Sequence, residues 1–226
     1  MHTGKGQIVE LILENGLRFA RIACAADLIP AAGQYLLASD ASDSPLPVPL
    51  FYTDSSPEGF ICAPPVAESW KPGQKLYLRG PVGHGFTLPL AVKRIALIAL
   101  DGQPWRLRGL IKPLLKQGGL IVLVSDSSVD TLSDEVEVQP LSSLSEVVQW
   151  ADYIAFDVAR EDLLGLKKKL DGLKQVAALT EAQVLIRAPM PCAGVAECGV
   201  CAVSLKSGWE LICKEGPVFV YNGLFD

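Results

Sequence analysis

The sequence predicts a small closed β-barrel, then an α/β domain with a parallel sheet, then a metal-binding tail. Three observations lead there. Residues 7–90 are a series of short apolar segments broken by Gly and Pro, without helical period. Residues 92–187 alternate apolar strand-length runs with helical patterns. Four of the six cysteines fall between Cys192 and Cys213, at C-x5-C-x2-C-x11-C spacing. The expected divisions are residues 1–90, 91–187 and 188–226.

In the first part, Gln7–Leu13 and Arg18–Ala23 flank Asn15-Gly16, a strong signal for a tight hairpin. Gly33-Gln34 opens a third strand. Leu50–Thr53 and Gly59–Cys62 follow, and Lys71-Pro-Gly-Gln74 turns the chain into Lys75–Arg79. A glycine-rich loop, Gly80, Gly83 and Gly85 with His84, ends this part. Cys24 and Cys62 stand alone among apolar residues and are expected to be structural thiols.

In the second part, strands are expected at Arg94–Leu100, Gly119–Ser125, Val136–Val138 and Tyr153–Asp157. Helices are expected at Leu107–Gln117, Leu144–Trp150 and Glu161–Leu173. The last carries Leu163, Leu164, Leu166, Leu170 and Leu173 along one side, with Lys167, Lys168 and Lys169 as its solvated face. Apolar strands alternating with helices imply a parallel, doubly wound sheet. Such a sheet binds phosphates just after its first strand. Here that place reads Asp101-Gly-Gln-Pro-Trp105-Arg106, where a carboxylate repels pyrophosphate and Trp105 removes the room a glycine would leave. Asp126, after the second strand, is a weak candidate for a ribose-binding acid.

In the tail, small residues around Cys192, Cys198 and Cys201 free backbone amides to turn toward the sulfurs. A hairpin over Ser207-Gly208, taken as the two loop residues, sets Cys213 opposite Ala202 and beside Cys201. Four thiolates suit either a [2Fe–2S] cluster or a structural zinc. Zinc sites usually present two separate C-x2-4-C knuckles, and only one such pair exists. Three cysteines on one loop with a remote fourth is close to the plant-type C-x4-C-x2-C…C cluster pattern, with one extra residue in the first gap. The cluster is therefore the favoured ligand set for Cys192, Cys198, Cys201 and Cys213.

Composition narrows the function. The chain has 226 residues, half of them apolar, and a net charge of −5, so there is no basic face for nucleic acid. No signal peptide and no membrane-length apolar run is evident, and a cytoplasmic location is expected. There, clustered cysteines mean metal or redox work rather than disulfides. Two histidines, His2 and His84, leave little material for histidine-based catalysis.

Met190-Pro-Cys192…Ala-Glu-Cys198-Gly-Val-Cys201-Ala-Val…Cys213-Lys-Glu-Gly-Pro-Val-Phe219 resembles the C-terminus of the electron-transfer subunit of NAD-linked dihydroorotate dehydrogenase. Leu78-Arg-Gly-Pro-Val-Gly-His-Gly-Phe86 shares the resemblance. The family belongs to the ferredoxin reductase-like flavoproteins, and the resemblance implies a flavin-type barrel, a nucleotide-binding α/β domain and a C-terminal [2Fe–2S] tail. It also implies a role in pyrimidine biosynthesis and a protein partner that carries the catalytic site, a dihydroorotate dehydrogenase-type subunit. The family's flavin motifs are altered. An Arg-Pro-Phe/Tyr-Ser motif is matched by Pro45-Leu-Pro-Val-Pro-Leu-Phe-Tyr-Thr53, and a Gly-Thr…Ser segment by Gly59-Phe-Ile-Cys-Ala-Pro-Pro65. Its Gly-Gly-x-Gly-x-Ala-Pro turn corresponds to Asp101–Arg106 and its Cys-Gly-Pro turn to Phe156-Asp-Val-Ala159. FAD remains a candidate through Gly80, Gly83 and Gly85, and NAD(P) is not expected. The expected function is single-electron transfer through the cluster within a larger oxidoreductase. The alternatives are a complete NADH:flavin:[2Fe–2S] reductase subunit and a non-redox scaffold with a structural metal.

Overall fold

The Asn15-Gly16 signal is realised as a hairpin turn. Both residues have positive φ, 49° and 75°, as a two-residue turn of this kind requires. They join β1 (His2–Glu14) to β2 (Leu17–Cys24), with Glu14 opposite Leu17. The computed structural model describes residues 1–40, 46–90, 92–101, 103–127, 129, 132–171, 181–192, 195–196 and 198–225. After β2 come β3 (Tyr35–Ser39), β4 (Val48–Ser56), β5 (Gly59–Cys62) and β6 (Lys75–Val82). They close into an antiparallel barrel in the order β1-β2-β5-β4-β3-β6. The interior is filled by Ile8, Ile22, Leu36, Leu50, Phe60 and Leu76. Strand β1 begins five residues earlier than the sequence suggests because His2–Gly6 pair with Leu76–Gly80 of β6. That partner is some 70 residues away, so nothing local announces it.

The α/β domain has β7 (Arg94–Ala99), β8 (Leu120–Val124), β9 (Val136–Gln139), β10 (Tyr153–Ala159) and β11 (Ala182–Arg187) in parallel. Its helices are α1 (Ile111–Lys116), α2 (Leu144–Trp150) and α3 (Leu163–Leu170). Strand β11 is an addition to the sequence-derived set. The sheet also departs from the expected all-parallel arrangement, because β14 (Val218–Val220), from the tail, pairs antiparallel with β11. The full order is β14-β11-β10-β7-β8-β9. A short antiparallel strand covering β11 caps an edge that would otherwise be open.

Two helices are shorter than expected. Residues 104–110 form two 3-10 turns, and the α-helix starts only at Ile111. A helix over 107–117 would need an N–H from Pro113; starting at Ile111 puts that proline in the first turn, where the donor is not needed. In α3, Leu163, Leu166 and Leu170 are buried at i, i+3 and i+7, whereas Leu164 points to solvent, contrary to the expected row, and Leu173 lies outside the described residues. The rotation of about 100° per residue is enough to exclude Leu164, one residue after Leu163, from that face. Lys168 and Lys169 are exposed, while Lys167 lies over the Phe225 ring.

Candidate metal centre

The four cysteines leave the sheet at the end of β11 and return to it at β14. After Met190, the loop carries Cys192 and Cys198 at the surface. Cys201 then leads into β12 (Ala202–Leu205), which turns into β13 (Gly208–Leu211) and reaches Cys213. The expected hairpin register is corrected. Leu205 faces Gly208 and Ala202 faces Leu211, so Lys206-Ser207 form the turn. Gly208 uses its positive φ, 115°, at the position that closes the turn. The shift moves Cys213 off Ala202. Instead the Ile212 N–H donates to the Cys201 carbonyl at 3.2 Å, so the chain segments at Cys201 and Cys213 come together at the open end of the hairpin.

The sulfurs form an outer and an inner pair. Cys198 is exposed and Cys192 half-buried, with their Sγ atoms 3.5 Å apart. Cys201 and Cys213 are buried within the main apolar cluster. None of the four is in a disulfide. Metal–thiolate bonds of about 2.3 Å, the zinc value, place two sulfurs on one tetrahedral ion about 3.8 Å apart, close to the outer pair's spacing. Among the described residues, no three His, Cys, Asp or Glu side chains converge on a single ready-made metal position. A two-iron cluster takes its ligands as two pairs, whereas a single zinc needs all four around one point.

Each domain lends an arginine to this loop, and local sequence signals neither. From β6, Arg79 Nη2 donates to the Cys192 carbonyl at 3.0 Å. From the turn after β10, Arg160 Nη1 donates to the Val200 carbonyl at 2.5 Å and to that of Ala202 at 3.3 Å. Tyr35, fully buried at the start of β3 and tilted against Phe51, belongs to the same apolar cluster as Cys201 and Cys213. Its hydroxyl has no hydrogen-bond partner among the described residues. Burial pushes its ionisation up, followed by the nearby Cys213, Cys201 and Cys192 thiols, while Arg79 acts the other way.

The glycine-rich loop packs on protein backbone. Gly83, at φ 76°, sits against the Gly216 carbonyl, and a Cβ on Gly85 would lie 2.6 Å from the Ala32 carbonyl. Gly80, at φ 151°, abuts Leu36 and the Tyr35 carbonyl. His84 Nδ1 is 3.0 Å from the Glu215 carbonyl, and its backbone N–H donates to the Gly216 carbonyl at 2.6 Å. This loop therefore ties the barrel to the tail.

The two altered nucleotide turns meet at the joint between the domains. Trp105 is buried there, edge-on to Phe19 with ring centroids 5.1 Å apart. Its carbonyl accepts a 2.5 Å hydrogen bond from Thr53 on β4. Arg106 is enclosed and reaches Asp157 at 3.1 Å and the Pro64 carbonyl at 3.2 Å. Asp157 also takes Arg187 Nε at 2.5 Å, and Arg187 reaches on to Asp101. Burial would lower the Arg187 pKa, but the two carboxylates outweigh it and raise it. Asp126 accepts from the Leu141 N–H at 2.8 Å, a turn-capping contact.

Barrel, sheet order and joint together define an architecture with known counterparts. An NADH-dependent reduced ferredoxin-NADP oxidoreductase, described for flavin-based electron bifurcation, superposes with a TM-score of 0.61 at 16% identity, covering 95% of this chain and 87% of that one. The fold is ferredoxin reductase-like. The ferredoxin-NADP+ reductase from Plasmodium falciparum matches with a TM-score of 0.61 at 12% identity, over 81% of this chain and 95% of that one. The ferredoxin reductase in carbazole 1,9a-dioxygenase gives 0.60 at 14% identity, over 81% of this chain and 68% of that one. At these identities the likeness establishes the ferredoxin reductase-like fold alone. No protein-family model and no curated protein matches the chain. Among the described residues, no helix is long and apolar enough to cross a membrane.

Proposed function

We propose that this ferredoxin reductase-like protein is an electron-transfer subunit of a larger oxidoreductase, with Cys192, Cys198, Cys201 and Cys213 as ligands of a [2Fe–2S] cluster. The observation that carries this is the arrangement of the thiols, Cys192 and Cys198 3.5 Å apart on the outside and Cys201 and Cys213 buried, on a loop clamped by Arg79 and Arg160. The donor set of four thiols fits such a cluster. When bound, the cluster supplies one-electron chemistry at a potential set by burial and hydrogen bonds to sulfur. The chain's own residues hold the loop shape, keep water from the inner pair and leave the outer pair open to a partner. Val195 and Val200 on that loop are exposed apolar residues suited to such contact. The tail resemblance makes a dihydroorotate dehydrogenase-type subunit the partner of choice, within pyrimidine biosynthesis.

Other ferredoxin reductases carry flavin and nicotinamide chemistry in their names, but the corresponding turns here fit those groups poorly. Trp105 and Arg106 fill the joint, and Arg106, Arg187 and the backbone at Pro64 are committed to internal partners. The protein is therefore an electron relay that does not use NAD(P).

The test is anaerobic purification followed by iron, zinc and acid-labile sulfide analysis, visible absorption and EPR before and after dithionite. Equal iron and sulfide, with an EPR signal appearing on reduction, is the expected result, and serine at any of the four positions should lower iron content. A flavin band bleached by NADH would restore a complete reductase. Zinc without sulfide would leave a non-redox scaffold.

A further inference from the structure

Three strands of the barrel present a matched set of side chains to the cysteine loop. Register sets Thr3 of β1 opposite Arg79 of β6, and Arg79 opposite Leu37 of β3. Two residues along, Lys5 lies opposite Tyr77, and Tyr77 opposite Ser39. Side chains alternate along a strand, so these six share the outer face while Leu36, Leu76 and Leu78 fill the barrel. The tail supplies a facing wall that includes Pro191, Cys192 and Val195, and a cleft of about 730 Å³ lies between. That size falls within the roughly 300–1,000 Å³ of small-molecule sites.

The cleft is largely apolar, with two cations in it. Leu37, Pro191 and Val195 line it, and the exposed Tyr77 ring offers a flat platform. Lys5 Nζ stands 5.8 Å from the centre of that ring. Arg79 is held by its bond to the Cys192 carbonyl at 3.0 Å, and its Nε has no partner among the described residues. Six other arginines of the described chain meet carboxylates: Arg21, Arg94, Arg106, Arg108, Arg160 and Arg187. Among the described residues no carboxylate pairs with Lys5 or Arg79, and none lines the cleft. Two cations diagonal to each other on adjacent strands repel, and an anion between them removes that cost.

We propose that this cleft binds a small organic anion, a single apolar ring carrying a phosphate or a carboxylate. The head group meets Lys5 and Arg79, whose guanidinium suits either oxyanion, and the ring lies on Tyr77 against Pro191 and Val195. Neither Gly59–Pro65 nor Asp101–Arg106 lines the cleft, so the turns that a dinucleotide would use take no part. Binding requires no metal at the cysteines. Cys192 forms part of the wall, which places the occupant beside the loop.

The experiment is isothermal titration calorimetry of the whole, anaerobically purified protein with phenyl phosphate, benzoate and, as a neutral control, phenol. At least one anion should bind about tenfold tighter than phenol, and more weakly as salt is raised. Whichever anion binds tighter identifies the head group. Lys5→Glu should weaken that binding about tenfold, whereas Lys168→Glu, on the exposed face of α3, should leave it unchanged. Both lysines are exposed, and a thermal melt checks that the variants fold. No binding of either anion, phenol binding as tightly, or equal losses in the two lysine variants would each overturn the proposal. Iron and sulfide are measured on the same samples. Anion binding by protein that lacks a cluster would uphold this site while the electron-transfer reading fails.

Discussion

The joint between the domains and the cysteine loop lie a short walk apart on the same sheet, and they treat polar groups in opposite ways. At the joint, Asp157 lies between Arg106 and Arg187 with no exposure, and Trp105 closes the remaining space. Charges there are spent on one another, so the joint is built for rigidity. On the loop, no disulfide joins the four cysteines, and the surrounding arginines bind backbone carbonyls. The joint pairs its charges internally, with Trp105 Nε1 and Arg106 Nε left without a partner among the described residues, whereas the loop is held through its backbone.

The largest test of this contrast is at the joint. Asp157→Asn leaves Arg106 buried without its counter-ion, and should cost about 3–5 kcal/mol, as breaking a buried pair does. Urea unfolding would show a lower midpoint, and an unchanged midpoint would mean the network is ornamental.

Next comes the tie between barrel and tail. Gly83→Ala forces a side chain into a left-handed position against the Gly216 carbonyl, and should cost about 1–3 kcal/mol. A thermal melt would detect it.

A smaller, local effect is expected on the loop. Arg160→Ala removes charged donors worth about 1.5–3 kcal/mol at most, from a partly exposed position. Hydrogen exchange should speed up at 200–202 while the global melt barely moves, since the loop opens without the core.

The mildest test is chemical. Burial, and then Asp27, pushes the Cys24 thiol from 9.0 up to about 11, and burial pushes Cys62 up to about 12. A raised thiol pKa means less thiolate below it, so at pH 8 Cys24 holds roughly a hundredth of the thiolate of an ordinary thiol. Iodoacetamide on metal-free protein should label exposed Cys198 first and spare Cys62. Labelling of Cys62 before Cys198 would contradict the burial pattern.

Much of this was legible in the chain itself. The Asn15-Gly16 turn, the apolar runs of β7, β8 and β10, α2 and the cysteine spacing are local signals, because turn chemistry and side-chain period act over a few residues. Trp105 was also visible as an obstacle at a phosphate-binding turn. Its counterpart charges were not: Arg106, Asp157 and Arg187 lie 51 and 30 residues apart and become a network only when β7, β10 and β11 align. The early start of β1, the antiparallel return of β14, the hairpin register and the arginine clamps on the loop depend likewise on distant partners. Sequence by itself determined which residues are strands, turns and thiols, since those follow from local backbone preference and composition. Tertiary structure alone decided which charges neutralise each other and which thiols are buried, since burial and proximity are properties of the packed chain.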